Sequence, residues 1–215
     1  MEMLSRDARV PAPRGLLAIA GALAVLTAAC VWTIDRPIAR LIAAYEASGL
    51  WDRGIDGLEW VIGLPLFKLL SPVVLVAGMV ITACVRRWRW QAPAWMFLAG
   101  THLITRIVMI YGKEWTGRLR PNEWLKEGGE ATFCREGGLS FPSGHVTLFG
   151  SLAIPLALLF PRARIPLVIV VAYVAAARVA VNAHFVSDTL GAITMVVATT
   201  WAMAWLVRPF RTWPR

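Results

Sequence analysis

Long apolar runs recur along the whole chain and limit the folds that are open to it. Hydrophobic residues make up 58% of the 215 residues and charged residues only 16%, which is too apolar for a water-soluble domain. Several runs approach the roughly 20 residues that cross a bilayer as a helix. We predict an all-α, polytopic membrane protein with six transmembrane helices in a bundle. The six runs are residues 15–34, 66–85, 91–111, 146–160, 165–181 and 185–207.

Basic residues collect on one side of this predicted bundle. The segments before helix one, between helices two and three, between helices four and five and after helix six hold 11 arginines and two acidic residues. The positive-inside rule therefore predicts that both termini are cytoplasmic. The formal net charge of +9 is then explained by topology, so it gives no reason to expect a nucleic-acid partner.

A single domain, residues 1–215, is sufficient for the chain, because no internal repeat or low-complexity linker interrupts it. Residues 1–14 are a short cytoplasmic tail in this scheme. Two longer segments face the outside, at about residues 35–65 and 112–142. We expect the first to contain an amphipathic segment that lies at the membrane interface. The second is polar and rich in glycine.

Side chains that can carry chemistry fall in three clusters, which together span residues 113–188. The predicted topology places the end of helix three, the start of helix four and the turn between helices five and six on the outer face. Each cluster lies at one of these positions, so we predict that all three form one site there. The clusters are Lys113 with Arg120 and Pro121; Pro142, Ser143, Gly144 and His145; and Arg178, His184 and Asp188.

These residue types suit phosphoryl chemistry. His184 and Asp188 are four residues apart, so a helix that begins near Ala183 would place them on one side. The carboxylate can hold one imidazole nitrogen and leave the other as a nucleophile. Ser143 can cap helix four while its hydroxyl and the next backbone N–H groups bind an oxyanion. Any of these groups alone could be an ordinary interfacial ion pair, but together the cations outnumber the acid, which favours a bound anion.

The three clusters resemble the signature motifs of the type 2 phosphatidic acid phosphatase family, which also includes bacterial acid phosphatases and vanadium haloperoxidases. The resemblance implies that His184 attacks phosphorus to give a phosphohistidine, that Asp188 orients it, and that His145 protonates the leaving group and then activates water. It implies phosphate binding by Lys113, Arg120, Arg178, Ser143 and Gly144.

Ala177 departs from the family pattern, because the third motif usually has serine before its arginine. The lost hydroxyl removes one hydrogen bond, worth about 0.5–1.5 kcal/mol, so we expect altered anion contact with the mechanism retained. We expect neither a metal nor another cofactor. Three fixed cations can neutralise the phosphate, and the acidic residues of the outer segments lack the spacing of a magnesium site.

We expect the substrate to be the phosphate or diphosphate of a lipid, whose chains stay in the bilayer while the headgroup enters from outside. The location expected is a bacterial-type inner (plasma) membrane, with the site facing the periplasm or the exterior. Phosphatidic acid, phosphatidylglycerol phosphate, undecaprenyl diphosphate and lipid A 1-phosphate are the candidates. Two alternatives stay open, a lipid phosphotransferase with the same histidine chemistry and a non-enzymatic anion transporter, as does the oligomeric state. A haloperoxidase is disfavoured because those enzymes are larger, soluble chains.

Several other polar residues have separate expectations. His102 and Arg106 are four residues apart on helix three. We expect Arg106 to pair with carbonyl groups or an acid and so to brace the helix beneath the site, and we expect neither residue to be catalytic. Arg118 and Lys126 are expected to be solvated loop charges. The cysteines have no metal-type spacing, although a disulfide between Cys30 and Cys134 is compatible with the topology.

Overall fold

The computed structural model of the protein describes residues 14–45, 49–61, 69–128 and 132–208. Within these ranges the chain is helical and contains no β-strand, which confirms the predicted all-α class for the described residues. Short 3₁₀ helices, Arg86–Gln91 and Pro161–Ala163, precede two of the longer helices. The α-helices are α1 (Leu16–Thr33), α2 (Asp35–Ala43), α3 (Leu50–Val61), α4 (Leu70–Cys84), α5 (Ala92–Thr116), α6 (Pro121–Glu127), α7 (Gly144–Leu159), α8 (Arg164–Ala180) and α9 (Val186–Leu206).

Four helical segments among the described residues are long and apolar enough to cross a membrane. They are α1, α9, the segment Arg86–Glu127 that contains α5, and the segment Pro161–Ala180 that contains α8. Helices α4 and α7 are apolar but shorter. The chain is therefore a multi-pass membrane protein. Six complete spans and cytoplasmic termini remain predictions.

Apolar side chains cover the outside of the bundle, as contact with lipid requires. Val25 on α1 and Ile165 on α8 are 72% and 73% exposed. Several tryptophans near helix ends are also exposed, in positions where indole rings favour the headgroup layer; they include Trp32, Trp60, Trp115 and Trp205.

The first outer segment folds into two helices, α2 and α3, in its described parts. Helix α2 buries Asp35 and Ala39 and packs against α6, whereas α3 buries Ile55 and packs against α8. Gly54 lets α3 approach α8 closely, because a Cβ at this position would lie 1.8 Å from the hydroxyl oxygen of Tyr173. Residues 46–48 and 62–65 of the predicted amphipathic segment lie outside the described residues.

Helices α5, α7, α8 and α9 form the centre of the bundle. Helix α7 packs against α5, α8 and α9, while α1 lies against α9 and α4 against α5. One part of the core joins Val146 and Phe149 of α7 to Val174 of α8 and Ala192 of α9. The C-terminal ends of α5 and α8 and the N-terminal ends of α7 and α9 meet at one end of this bundle, where the three clusters lie.

Candidate active site

His184 lies in the turn between α8 and α9. The N–H groups of Ala183 and His184 both donate to the carbonyl of Arg178 at 3.1 Å, so the turn folds back onto the end of α8. Asn182 has a φ of 54°, a left-handed conformation that asparagine tolerates, and its amide donates to the carbonyl of Ala39 at 2.9 Å. Helix α9 begins only at Val186. A start near Ala183, the condition for placing His184 and Asp188 on one helical face, is not met, because these backbone hydrogen bonds close a turn first. The predicted apolar run from residue 185 agrees with the observed start.

Asp188 still contacts His184, although the two residues do not share a helical face. Its Oδ2 atom lies 3.5 Å from Nδ1 of His184 and accepts hydrogen bonds from the Ser140 hydroxyl at 2.6 Å and the Phe185 N–H at 2.8 Å. Ser140 Oγ is also 3.3 Å from Nδ1. Because the single hydrogen of Ser140 points to Asp188, Nδ1 must carry its own hydrogen. The lone pair of the imidazole is then on Nε2.

The surroundings of His184 favour its neutral form. Burial lowers the pKa of this imidazole from its ordinary value, while the hydrogen bond and the negative charge of Asp188 raise it and the positive charges of Lys113 and Arg178 lower it further. The net direction is downward. An unprotonated Nε2 near neutral pH follows, which is the form a nucleophile requires.

Arg118 is buried directly behind this pair, with 1% of its side chain exposed. Its Nη1 donates to Oδ1 of Asp188 at 2.5 Å and its Nη2 to Oδ2 of Asp35 at 2.7 Å. The two faces of the guanidinium lie 4.4 Å from the ring centre of Phe133 and 4.3 Å from that of Phe185. The expectation that Arg118 is a solvated loop charge is therefore wrong, because its guanidinium contacts two carboxylates and two aromatic rings and is shielded from solvent.

Asp35 completes this buried arrangement from the start of α2. The backbone N–H of Ser187 donates to its Oδ1 at 3.0 Å. The hydroxyl of Ser187 and the guanidinium of Arg118 both donate to its Oδ2. We call the set Asp35, Arg118 and Asp188 the buried charge chain. The sequence analysis missed Asp35, Arg118, Ser140 and Ser187. The sequence does show that Asp35 is an acid directly after the first apolar run. Its partner Arg118 is 83 residues away, so spacing could not indicate the pair.

The loop after α5 carries Arg118 inward. Gly117 ends α5 in a left-handed conformation with a φ of 49°, and its N–H donates to the carbonyl of Lys113. Residues 132–140 then pair with this corner, through hydrogen bonds from Leu119 N–H to Thr132, Arg135 N–H to Gly117 and Ser140 N–H to Arg118. These backbone hydrogen bonds hold both Arg118 and Ser140 against Asp188.

A cleft of about 560 Å³ lies in front of His184. The structure brings all eight predicted site residues to it or directly behind its wall, and their individual roles remain predictions. Asp188 lies behind His184, and Ser143 is fully buried next to Gly144. The lining comprises six of the predicted site residues, Lys113, Arg120, Gly144, His145, Arg178 and His184, together with Glu59, Arg106, Met109 and Leu148.

The three predicted phosphate-binding cations keep free hydrogen-bonding capacity. Lys113 donates one hydrogen bond through Nζ to the carbonyl of Leu139. Arg120 precedes α6, where its N–H donates to Glu123 at 2.8 Å, and it lies close enough to repel both Lys113 and Arg178. Arg178 is only 4.0 Å from the exposed carboxylate of Asp52, a contact that contributes little. Its Nε is buried and has no partner among the described residues.

Ser143 is the N-cap residue of α7, but its hydroxyl makes no capping hydrogen bond. The hydroxyl oxygen is buried and lacks a partner among the described residues, while the backbone N–H donates to the carbonyl of Asp188 at 3.1 Å. The interpretation of Ser143 as a side-chain cap is therefore wrong. A buried hydroxyl without a partner beside the cleft is suited to a ligand oxygen.

Glu59 is a further cleft residue that the sequence analysis missed. Its Oε1 lies 2.8 Å from Nε2 of His145, and both side chains are partly exposed. Helix α3 contributes this carboxylate, so the first outer segment forms one wall of the cleft. Burial and the positive charge of Arg178 lower the pKa of His145 from its ordinary value, and the charge and hydrogen bond of Glu59 offset only part of this lowering.

The remaining polar residues divide between confirmed and corrected expectations. His102 is fully buried and contacts Ser71 Oγ at 3.2 Å and Ser151 Oγ at 2.9 Å, so it links α4, α5 and α7. Arg106 lines the cleft and has no hydrogen bond or ion pair among the described residues, so the expected pairing is wrong. Lys126 is exposed, as predicted. Cys30 and Cys134 are both free, so the possible disulfide between them is not formed.

The described residues contain no group of three histidine, cysteine, aspartate or glutamate side chains that could hold a metal ion. The site is instead built from arginine, lysine and histidine around an open space, with a carboxylate behind one histidine. In a helical membrane bundle, these features define a class of membrane proteins with an oxyanion-binding cleft and a candidate nucleophilic histidine.

Sequence comparison identifies the family within this class. The profile of the PAP2 superfamily matches residues 94–212, more than half of the chain, and the protein belongs to this superfamily. The resemblance seen in the three motifs is thereby confirmed. Helices α5 to α9, and with them every predicted site residue, lie in the matched region.

Individual relatives match shorter stretches or only the fold. A lipid A 1-phosphatase of Rhizobium etli is 35% identical over 85 residues, which cover 36% of this chain and 34% of the relative. A lipid A 1-phosphatase of Rhizobium johnstonii is 36% identical over 80 residues, covering 36% of this chain and 33% of the relative. The match thus spans about a third of the length of these relatives.

The fold resembles that of a solved membrane protein. The crystal structure of a transmembrane PAP2-type phosphatidylglycerolphosphate phosphatase from Bacillus subtilis matches with a TM-score of 0.55 and 22% sequence identity. The alignment covers 93% of this chain and 95% of the other. The bundle described above is therefore the PAP2 membrane fold over nearly the whole chain.

Proposed function

We propose that the protein is an integral-membrane phosphatase that hydrolyses a lipid phosphate or diphosphate at the outer face through a phosphohistidine intermediate. The observation that carries this proposal is the position of His184. Its Nδ1 is held by Asp188 and Ser140, and its ring lines a cleft together with Lys113 and Arg178. A neutral imidazole with a fixed tautomer beside cations is arranged to attack a bound phosphoryl group.

The charge in the cleft supports a phosphate ligand. Among the described residues that line it, four are cations, Lys113, Arg106, Arg120 and Arg178, and one is a carboxylate, Glu59. The buried Ser143 hydroxyl and Arg178 Nε have no partners among the described residues. Phosphoryl oxygens would supply these missing partners and balance the excess positive charge.

In the proposed reaction, Nε2 of His184 attacks phosphorus and the bond from phosphorus to the leaving oxygen breaks. His145 donates a proton to that oxygen, so the lipid leaves as a neutral hydroxyl or as a shorter phosphate. Asp188 keeps its hydrogen bond to Nδ1 and stabilises the positive charge on the ring. Water then attacks the phosphohistidine, with neutral His145 accepting its proton, and inorganic phosphate is released.

Glu59 prepares His145 for the first step. The carboxylate lies 2.8 Å from Nε2 and offsets part of the lowering of the His145 pKa by burial and Arg178, and the negative charge of a bound phosphate would raise that pKa further. The other ring nitrogen, Nδ1, then carries a proton that can go to the leaving oxygen.

A lipid substrate agrees with the site's place in the molecule. The cleft lies within a helical membrane bundle, so the bilayer can hold the chains while the headgroup reaches His184. The relatives are named for lipid phosphates, namely lipid A 1-phosphate and phosphatidylglycerol phosphate. The distribution of arginines supports a site on the periplasmic or exterior side of an inner (plasma) membrane.

Phosphate release from a panel of lipid phosphates tests the proposal. Purified protein in detergent is given phosphatidic acid, phosphatidylglycerol phosphate, undecaprenyl diphosphate and lipid A 1-phosphate. We expect release from at least one, a loss of at least a thousandfold in kcat for His184→Ala, and little change for Lys126→Gln, which removes an exposed charge. Absence of release from every lipid contradicts the proposal. Transfer of label to a lipid hydroxyl without inorganic phosphate identifies a phosphotransferase instead.

A further inference from the structure

Arg106 is a cation of the cleft that the proposed reaction does not use. Its side chain is partly buried on α5, and no hydrogen bond or ion pair to it exists among the described residues. A guanidinium without a partner at membrane depth is costly, and such residues usually mark a path or site for a ligand. The question is which group it meets when the cleft is occupied.

None of the described cleft residues near Arg106 offers it an unpaired negative charge, so we expect its partner to be the anion of a ligand. Met109 and Leu148 beside it are apolar. His102, one turn earlier, is engaged by two serines and offers Arg106 no negative charge. Glu59 is the acid of the cleft lining and is paired with His145.

Helix geometry places Arg106 on the bilayer side of the reacting phosphate. Arg106, Met109 and Lys113 are spaced three and four residues apart, so one face of α5 presents all three to the cleft. Seven residues of helix correspond to about 10 Å along the axis, measured from the end that carries Lys113 toward the bilayer interior. A lipid whose terminal phosphate contacts Lys113 and His184 must run past Arg106 to reach its chains.

We infer that Arg106 forms a second anion subsite, which binds a further phosphate located between the scissile phosphate and the lipid chains. This inference rests on the proposed function and narrows its substrate class. A lipid diphosphate has such a group, and so does a phospholipid that carries a terminal phosphate beyond its phosphodiester, as phosphatidylglycerol phosphate does. A lipid with one phosphate leaves Arg106 unpaired. The second phosphate stays on the lipid product.

Matched substrates that differ only in the second phosphate test the subsite. The rates of wild type, Arg106→Lys and Arg106→Gln are compared on a polyprenyl diphosphate and the monophosphate of the same chain, and on phosphatidylglycerol phosphate and phosphatidic acid of the same acyl chains. For Arg106→Gln we expect the ratio of kcat/KM for two-phosphate over one-phosphate lipid to fall about ten- to a hundredfold, as when a charged hydrogen bond is lost. For Arg106→Lys we expect a smaller fall in this ratio, because the positive charge is kept. Arg164→Gln, which removes an exposed arginine at the other end of the bundle, should leave the ratio at its wild-type value.

The pair in which the kcat/KM ratio falls shows whether the phosphate at Arg106 belongs to a diphosphate or to the phosphodiester of a phospholipid. A ratio of kcat/KM that does not change in either pair overturns the subsite. If kcat/KM itself falls equally on both members of each pair, the ratio is also unchanged, and Arg106 then has a structural role.

A binding measurement separates failure of the subsite from failure of the proposed function. In a His184→Ala background, non-hydrolysable diphosphonate and monophosphonate lipids are added, and the thermal unfolding midpoint is recorded. Stronger stabilisation by the diphosphonate that disappears with Arg106→Gln supports the subsite even if no lipid is hydrolysed. Equal stabilisation by both lipids overturns it.

Discussion

Arg118 is the side chain on which the position of the candidate nucleophile depends. It does not line the cleft, yet it donates to Asp188, whose other oxygen faces His184. Its planar fork reaches Asp188 and Asp35 with different nitrogens, which a lysine ammonium cannot do from one position. Arg118 is therefore a positioning residue that acts through Asp188.

We expect Arg118→Lys to lower kcat at least tenfold and to change KM little, because the orientation of His184 is disturbed while the phosphate-binding cations remain. Arg118→Met should also destabilise the protein, by about 3–5 kcal/mol, since two buried carboxylates lose their partner. Steady-state kinetics and thermal unfolding measure both effects. The control is Arg135→Met, which removes a half-exposed pair with Glu127. An Arg118→Lys enzyme with the wild-type kcat would show that Asp188 does not need this contact.

The pH dependence of the reaction should reflect the lowered pKa of His184. Attack requires the neutral imidazole, and burial moves its pKa below 6.5. We therefore expect the activity to be retained on acidification through pH 6.5 and to decline only at lower pH. Titration of the imidazole by ¹⁵N NMR gives the same pKa without interference from ionisation of the substrate. A midpoint at or above 6.5 in both measurements contradicts this assignment.

The sequence predicted those site residues whose neighbours in the chain are also their neighbours in space. His184, Asp188 and Arg178 belong to one turn, and Ser143 to His145 begin one helix. Arg118, Asp35 and Glu59 were missed because their partners are distant in sequence. Arg118 is 83 residues from Asp35 and 70 from Asp188, and Glu59 is 86 residues from His145, so local spacing does not indicate these contacts. Arg118 in particular has the sequence surroundings of a solvated loop charge, and only the fold of that loop buries it.

The corner at Gly117 links the end of α5 to the loop that holds Arg118 and Ser140. A Cβ at this residue would lie 2.8 Å from the carbonyl oxygen of Arg135, in addition to the strain of a positive φ. Gly128, at the end of α6, also has a positive φ, but a Cβ there meets nothing within 4 Å. The two glycines therefore separate the effect of strain from that of a clash.

We expect Gly128→Ala to cost about 1–2 kcal/mol of stability, from left-handed strain alone, with the wild-type kcat. Gly117→Ala should cost more and should lower kcat, because the loop must shift away from Asp188. Thermal unfolding and phosphate release measure the two effects. If the two variants lose the same stability and both keep the wild-type kcat, the loop accommodates the Cβ at residue 117 without moving Ser140.

The lengths of the apolar runs located the long helices well, since each of the six predicted runs overlaps one long helix of the structure. The boundaries differ where polar residues extend a helix: α5 continues through Lys113 to Thr116, beyond the predicted end at residue 111. The short helices α2 and α3 were expected only as an amphipathic segment. Their packing against α6 and α8 is tertiary, so the sequence pattern alone could not define it.

The orientation of the whole molecule can be tested with a native cysteine. Cys134 is exposed in the loop behind the site, whereas Arg87 is exposed in the link between α4 and α5. If the site faces outward, a membrane-impermeant maleimide added to intact cells should label Cys134. A cysteine introduced by Arg87→Cys, in a protein with Cys84→Ser and Cys134→Ser, should react only after permeabilisation. The reverse pattern places the site in the cytoplasm.

The buried charge chain joins the first helical hairpin of the protein to its last helix. During synthesis, Asp35 leaves the ribosome long before Asp188, and Arg118 emerges between them. In the nascent chain Arg118 has one of its two carboxylates at most, and His184 has no carboxylate to orient it until α9 enters the bundle beside α1. If the proposed function is correct, a chain in which α9 has not yet packed against α1 should release no phosphate from the lipids around it, because His184 is not yet oriented.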